Sequence, residues 1–576
     1  GGGVRTRGLF LSLLLLCALV GRAHAVDRTG WLRMSRSNAR ARTGLAAPLH
    51  GRGERERGTN GHRGVAVAGG IASGLCSSHA AALGAALASF LQGYHTGIVG
   101  GALLSLSPEF ALHSNPKLLG LIVTGTTMGS VCGTASAARL ADGLGRRATL
   151  LFASIVSIAG SLLLCTAGAA RRLVLARVLT GVAIGIAGAV VPVYIAETAP
   201  AEQRGALAAI PQTFVSLGIF SSYLVALIIA VALPSLGWRA MFGASLVPAV
   251  LHAAYVAFLL PESPRWLLGR GKAAEAETSL LRLRSASTPT ARAAVNIEFE
   301  RTKGALEEQA RARSTAEKAD EAAARAAGRR WRPPSTSGGG GFDGLLEAKL
   351  LRRLGIVITL QALQQFSGIN AIVYYTPQVL KEAGVPRLLS RTGLSADAAS
   401  LAATTLAYAP RLPAMLATIR LIDSLGRRTL LLVFLPAMAL SHLGLAGALS
   451  AMGGATNVAP AAAAVAAICG YGIAFSLSLG PVPNILTSEL FPMRSRAAAM
   501  SISLAAQFIC NTAVGAGFPF ARARLGSVGV FLGFAAVCAV AQVFTLLCVP
   551  ETKGFSLESL GGEEPEGTAT AKGKKR

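Results

Sequence analysis

The chain has 576 residues, of which 52% are hydrophobic and only 14% charged, with a mean hydropathy of +0.52. A soluble protein carries roughly 25% charged residues, and a soluble chain of this length would divide into about four domains; here the apolar residues come in long blocks that point to lipid. The net charge of +27 is placed between those blocks and is not interleaved with aromatics on a compact domain, which fits anionic lipid and argues against a nucleic-acid partner.

Arg5 and Arg7 precede the apolar run Leu9 to Val20, and Ala23-His24-Ala25 has a small-residue cleavage form. Residues 1–25 therefore read as a signal-like segment, too short to span. Residues 26–77, rich in arginine against Asp27, Glu54 and Glu56, read as a basic disordered or transit-like arm. A spanning helix needs about 20 apolar residues. From residue 78 twelve blocks qualify, near 80–101, 118–139, 149–168, 172–195, 206–231, 240–260, 351–376, 397–420, 429–450, 460–484, 497–522 and 526–548. The expected class is an all-α membrane protein. Its six-helix halves cover 78–260 and 351–549, joined by a hydrophilic linker, 261–350, and followed by a tail, 550–576. Within the linker, Ala291 to Ala327 reads as an exposed helix. Trp331-Arg332-Pro333-Pro334 ends it, and Gly338 to Gly341 form a flexible joint.

The eight cysteines are scattered, mostly inside apolar blocks, without metal-ligand or CxxC spacing. With no phosphate loop or nucleophile elbow either, the expectation is no enzyme, no metal and no cofactor.

Arginines follow alternate spans: Arg146 and Arg147 the second, Arg204 the fourth, Arg427 and Arg428 the eighth, Arg494 and Arg496 the tenth. The positive-inside rule then puts both termini and the linker in the cytosol. Three segments recur in order. Ala141-Asp142-Gly143-Leu144-Gly145-Arg146-Arg147 returns as Ile422-Asp423-Ser424-Leu425-Gly426-Arg427-Arg428. Glu197 with Arg204 returns as Glu489 with Arg496, and Pro261-Glu262-Ser263 as Pro550-Glu551-Thr552. This is a parallel duplication, the arrangement of the major facilitator fold. Carboxylates and arginines at these helix ends can bond across neighbouring helices. That makes Asp142, Arg146, Arg147, Glu197, Arg204, Glu262 and Arg265, with Asp423, Arg427, Arg428, Glu489, Arg494, Arg496 and Glu551, candidate gate charges; simple anchoring of helix ends is the alternative.

Gly145-Arg146-Arg147, Pro192-Val193-Tyr194-Ile195-Ala196-Glu197, Pro261-Glu262-Ser263-Pro264-Arg265-Trp266, Gln364-Gln365-Phe366-Ser367-Gly368-Ile369-Asn370 and Pro550-Glu551-Thr552-Lys553-Gly554 together resemble the sugar porter family of the major facilitator superfamily, over about residues 80–560. Tyr374-Tyr375-Thr376-Pro377-Gln378, Leu388 to Ser400 and Gly480-Pro481-Val482-Pro483-Asn484-Ile485-Leu486 are similar to plant tonoplast monosaccharide transporters, whose middle loop is longer and acidic.

Recognition of a polyol needs converging amides and hydroxyls beside an aromatic or apolar wall. Gln212 on helix 5 and Gln364, Gln365 and Asn370 on helix 7 supply such amides, the last two flanking one broad face of a continuous helix. The resemblance implies sugar contact at all four, and a site lined by Phe475, Asn484, Phe508 and Asn511. Each amide could instead make only an interhelical hydrogen bond, worth roughly 0.6–2 kcal/mol.

The resemblance also implies a coupling position at His95, beside Arg177. Proton-coupled members carry aspartate there, whereas Gly93-Tyr94-His95 resembles plastid glucose transporters. Either His95 itself titrates or the protein is a facilitator. Arg411, between Pro410 and Pro413 where the family often has a small polar ligand, costs at least ~2.5 kcal/mol at mid-membrane if unpaired. It faces a watery cavity, snorkels, or sits at a kink.

The expected function is transmembrane transport of a monosaccharide, a hexose such as glucose, by alternating access, facilitative or proton-coupled. The alternatives are a polyol or anionic sugar derivative as substrate, or a non-transporting sugar sensor. The short tail after Gly554 favours transport over sensing. The expected partners are sugar, protons if coupled, and membrane lipid, with the protein acting as a monomer. The expected membrane is vacuolar or plastid envelope, with the plasma membrane as the alternative.

Overall fold

A computed structural model describes residues 77–286, 288–326, 348–451, 458–491 and 493–553, all within one unit, Val67–Arg576. The signal-like segment, the arm up to residue 76, the joint at 331–341 and the tail beyond 553 lie outside the described residues.

In lipid every backbone N–H and C=O must be satisfied internally, so apolar blocks of this length become helices. Six make the first half: α1 Ser78–Glu109, α2 Pro116–Leu144, α3 Arg146–Cys165, α4 Ala170–Thr198, α5 Ile210–Ala232 and α6 Gly237–Phe258. In the second half α7 comes in two pieces, Ala348–Phe366 and Ile369–Glu382, as do α8 (Ala396–Tyr408 and Arg411–Leu425) and α10 (Ala459–Leu477 and Val482–Leu490). Between them α9 is Arg427–Ser450. The helical stretch Met493–Cys548 turns at Gly526 (φ 69°) into α11, 493–525, and α12, 527–548.

Among the described residues nine helices are individually long and apolar enough to cross a membrane, one of them running through α11 and α12. α1, rich in Ala, Gly and Ser, and α8, broken at Ala409–Pro410, complete twelve passes. Each predicted span falls on one of these passes. The breaks in α7 and α10 were not expected from apolar blocks read as continuous, whereas a kink beside Arg411 was one of the expected readings of α8. Local caps follow ordinary chemistry: Ser77 Oγ accepts from Ala80 N–H, and Asn115 Oδ1 from Leu118 N–H ahead of Pro116.

Within each half small residues let backbones touch. A Cβ on Gly129 would lie 2.0 Å from Val178 O, and one on Gly181 2.0 Å from Thr126 O, so α2 and α4 are in direct backbone contact. Gly93 and Gly218 do the same for α1 and α5. Large side chains such as Leu175, Val247, Leu406, Leu440 and Leu547 point outward and are exposed, as lipid-facing residues must be.

The predicted linker helix spans Pro289–Ala326, preceded by short helices Pro264–Gly269 and Ala273–Leu283. Arg284 fastens it to the bundle. It pairs with Glu298 at 2.6 and 3.0 Å and donates to Thr198 O, at the end of α4, at 2.9 Å.

The halves meet at the centre and toward the end opposite the arginine motifs. Tyr223 Oη on α5 donates to Val373 O on α7 at 2.7 Å. Thr512 Oγ1 on α11 donates to Thr127 Oγ1 on α2 at 2.9 Å. A Cβ on Gly100 of α1 would lie 2.9 Å from Tyr374 O.

Candidate functional site

The site is built where α7 and α10 break. After Gln365 the chain turns through Gly368 (φ 90°). After Leu477 it turns through Ser478 to Pro481 and leaves the carbonyls of Leu479 and Gly480 outside helical bonding. Gln364 Nε2 takes both, at 2.5 and 3.0 Å. Its Oε1 accepts from Gln365 Nε2 at 2.8 Å and Gln507 Nε2 at 3.3 Å, and Gln365 Oε1 accepts from Asn370 Nδ2. A relay of amides thus runs from a broken helix into the bundle interior, with Gln364, Gln365 and Asn370 buried and Gln507 half-buried. The expected single face of a continuous helix is corrected here. Gln365 and Asn370 meet across the break at Gly368 that separates the two pieces of α7.

The other predicted residues make contacts of their own. Asn484 Oδ1 accepts from Gln361 Nε2 at 2.8 Å, and Gln361 Nε2 also reaches Ser503 Oγ at 3.0 Å. Asn511 Oδ1 accepts from Tyr374 Oη at 3.2 Å. Phe475 and Phe508 are buried. Gln212 is half-buried on α5, and among the described residues no hydrogen bond joins it to the relay. Gln361 was missed by the sequence reading, although it stands four residues before Gln365 and one helical turn beneath it.

His95 is fully buried on α1, and among the described residues neither ring nitrogen has a hydrogen-bond partner. Arg177 on α4 is within coulombic reach of it. Arg177 donates from Nη2 to Val123 O at 3.0 Å, leaves Nε and Nη1 without a partner, and faces the Phe242 ring. Arg411 opens the second piece of α8. Its Nε donates to Ser476 Oγ at 3.0 Å, and its guanidinium lies between the rings of Tyr408 and Phe475, at 5.0 and 5.1 Å from their centroids. It is both at a kink and on a cavity, with an empty volume of about 330 Å³, that also meets Tyr223, Ile369, Ile372, Thr404 and Tyr471.

At the arginine end two matched clamps appear. Arg146 donates from Nε and Nη2 to the two oxygens of Glu197, at 3.0 and 2.9 Å, and reaches Asp142 at 3.3 Å. Arg427 pairs with Glu489 at 2.9 Å. Glu262 caps the start of α3, accepting from the N–H of Arg146 (2.9 Å) and Arg147 (3.2 Å). Glu551 caps α9 through the N–H of Arg427 (3.0 Å) and Arg428 (3.1 Å). The glycine of each Gly-Arg-Arg motif is required here. Gly145 and Gly426 hold φ of 96° and 92°, and a Cβ would strike the capping carboxylate at 2.4 and 2.6 Å.

Burial pushes the Glu262 carboxyl above the usual range, against its N–H bonds. At the less buried Glu551 burial also pushes upward, but four N–H bonds outweigh it and the value falls. Arg147 and Arg428 donate onward to carbonyls ending α6 and α12. Arg204 and Arg265 are exposed and line a crevice with Glu197, Arg284 and Glu298. Glu197 thus bonds across to Arg146 on the neighbouring helix, while Arg204 lies on the solvent face. Arg496 Nε donates to Phe491 O at 3.2 Å. The side chains of Asp423 and Arg494 lie outside the described residues. Both clamps close within one half.

Comparison with known proteins agrees with this architecture. The family model "Sugar (and other) transporter" matches residues 81–562. The chain is 35% identical to plastidic glucose transporter 4 of Arabidopsis thaliana, over 82% of this chain and 77% of that protein. It is 26% identical to monosaccharide-sensing protein 2 of the same plant, over 83% and 96%. The xylose transporter XylE from E. coli, solved in a partially occluded inward open conformation, superposes with a TM-score of 0.65 at 25% identity, covering 82% of this chain and 98% of that one. With the family matched over most of its length, the chain belongs to the sugar porter family of the major facilitator superfamily.

Proposed function

We propose that the protein moves a monosaccharide of hexose size across a membrane by alternating access, down its gradient. One observation carries the reading: the relay of Gln364, Gln365 and Asn370 is buried at the broken helices α7 and α10 inside a two-half bundle. Amides in a membrane interior are costly unless used, and this set presents donors and acceptors in the pattern a polyol needs. Asn484, Asn511, Phe475 and Phe508 complete its wall, and Gln212 approaches from α5.

The positive-inside rule assigns the arginine end, both termini and the linker to the cytosol. Contacts between the halves at the other end then correspond to a state open toward the cytosol, in keeping with the inward open relative. Opening the other way requires the halves to rock about the site. The Arg146–Glu197 and Arg427–Glu489 clamps, each inside one half, keep the ends of those bodies rigid during that motion. His95, with no carboxylate pairing Arg177 among the described residues, favours facilitation over proton coupling. The plastidic relative and the transit-like arm favour the plastid envelope over the vacuole, and one chain holds a complete site, so the unit is a monomer.

The test is uptake of radiolabelled glucose into proteoliposomes, with and without a pH gradient, beside Gln365→Ala. Saturable uptake, indifferent to the gradient and reduced tenfold or more by the substitution, is expected. Uphill uptake driven by protons overturns facilitation and makes His95 the coupling group. No uptake of glucose or any other monosaccharide overturns the transport reading.

A further inference from the structure

Among the described residues the membrane interior carries buried cations without buried counter-ions. In α1 to α12 every Asp and Glu stands at or near a helix end: Glu109, Asp142, Glu197, Glu382, Asp397, Asp423 and Glu489. Among the described residues no Asp or Glu is buried, whereas Arg177 and Arg411 are, at 1% and 7% exposure. Arg177 is turned onto a backbone carbonyl and an aromatic face. Arg411 is different. Only Nε is tied, to Ser476 Oγ, and the flanking rings of Tyr408 and Phe475 orient the guanidinium plane. The cavity beside it is walled by Tyr223, Thr376, Thr404 and Tyr471 as well as apolar residues. It also touches Ile369 and Ile372, which bracket Asn370 of the amide relay. The cavity that Arg411 lines is therefore bounded by the helix piece that carries Asn370.

A buried charge at this depth is retained where it lines a substrate path and has a partner there. Among the described residues no anionic partner stands beside Arg411. A guanidinium with both η nitrogens free offers the two-pronged donor set that matches a carboxylate or phosphate.

We propose that the substrate is a monosaccharide bearing an oxyanion, a carboxylate or a phosphate, with Arg411 binding the oxyanion while Gln364, Gln365 and Asn370 hold the hydroxyls. This rests on the monosaccharide reading above and narrows its substrate class. Arg411 then sets specificity: it compensates the anion's lost hydration, and a neutral hexose leaves the guanidinium without its partner, so neutral sugars are bound more weakly. Translocating an anion alone also moves charge, so uptake responds to membrane potential.

The experiment uses the purified full chain in proteoliposomes with radiolabelled glucose, glucuronate and glucose 6-phosphate, under potassium diffusion potentials of either sign. The wild-type protein is expected to take up at least one of the two anions with a KM tenfold or more below that for glucose, faster when the interior is positive. Glucuronate and glucose 6-phosphate separate carboxylate from phosphate, and preference for either supports the proposal. Arg411→Asn is expected to reduce the ratio of anion to glucose uptake tenfold or more, with Arg411→Lys in between; thermal unfolding checks that each variant is folded. The wild-type competition alone decides if neither variant folds. Glucose uptake unaffected by excess of both anions overturns the proposal and leaves the monosaccharide reading standing, and no uptake of any of the three sugars overturns both.

Discussion

Arg146 grips Glu197 with two parallel hydrogen bonds, from Nε to Oε2 at 3.0 Å and from Nη2 to Oε1 at 2.9 Å, both side chains being largely buried. In the second half Arg427 pairs with Glu489 through one oxygen, Nε and Nη2 reaching Oε1 at 3.2 and 2.9 Å, while Thr552 Oγ1 donates to Oε2 at 2.6 Å. Bonds to charged groups of this kind contribute about 1.5–3 kcal/mol. Glu197→Gln removes the charge and turns an N–H₂ toward the guanidinium. The expected result is transport slowed at least fivefold. Arg146→Lys should be no milder, because an ammonium cannot make the planar two-point contact. Initial uptake rates in proteoliposomes check both, and wild-type rates in either variant would show that the clamp is only an anchor.

Glu262 and Glu551 occupy matched caps yet titrate in opposite directions. A carboxyl whose value is raised on folding holds its proton more tightly in the folded state. Stability therefore falls as pH climbs from the ordinary glutamate range to the raised value of Glu262. For Glu551 the folded value is lowered. Its contribution is complete above the ordinary range and is lost as pH drops through the lowered value. Thermal unfolding in detergent from about pH 3 to pH 7 should show the fall above the ordinary range disappearing in Glu262→Gln, and the acid-side loss shrinking in Glu551→Gln. The same slope change from both substitutions would contradict the opposite assignments.

The fold was legible in the sequence because lipid imposes a length and a composition on each pass, and because the Gly-Arg-Arg and Pro-Glu motifs recur in order. The helix breaks at Gly368 and Ser478 were not, since apolar content does not register a turn when both flanks stay buried; Pro410 and Pro413 did offer the kink in α8 as one reading. In the site the amides Gln364, Gln365 and Asn370 stood out as polar groups in apolar blocks. Their order in the relay depends on carbonyls that the break in α10 releases, which only the folded chain displays. The recurring motifs marked the gate charges without fixing each partner. Spacing cannot tell which face of a short turn meets solvent: Arg204 lies there, and Arg146, distant in sequence, takes the carboxylate of Glu197.

Gln361 gives Asn484 and Ser503 their partner through one Nε2. Gln361→Leu takes the donor from the half-buried Asn484 Oδ1, while Ser503 Oγ keeps its contact with Thr487 Oγ1, at about 1–3 kcal/mol. KM for the transported sugar should rise about tenfold, with a smaller change in maximal rate, since the lost bonds position the wall and not the moving bodies. Concentration-dependent uptake measures this split. An unchanged KM would place Gln361 outside the binding wall.

Gly129 and Gly181 meet the backbone of the facing helix at 2.0 Å for a notional Cβ, with carbonyl oxygens as neighbours that have no rotamer to yield. Gly129→Val or Gly181→Val must separate α2 from α4 and stretch the Ser130 Oγ to Gly181 O bond of 3.1 Å. Overpacking of this kind costs about 1–3 kcal/mol or more. A fall in the unfolding temperature is expected for both. Gly143→Val, open around its Cβ, serves as the control and should not show this loss.

Tyr223 Oη donates to Val373 O at 2.7 Å and joins α5 of one half to α7 of the other. The bond lies toward the end where the halves touch, so it exists only while that end is closed. Tyr223→Phe keeps the ring's contact with Tyr408 and removes the donor. The loss is about 0.5–1.5 kcal/mol, borne by this conformation alone, and it moves the balance toward the state open at that end by about two- to tenfold. A cysteine placed at Gly100, which packs against Tyr374 O, is shielded in the closed state. Its labelling by an impermeant maleimide should accelerate by that factor in the Tyr223→Phe background. The wild-type background supplies the reference rate, since a residue other than glycine at this contact itself loosens it. Equal labelling in both backgrounds would mean that the tyrosine bond does not hold the halves together.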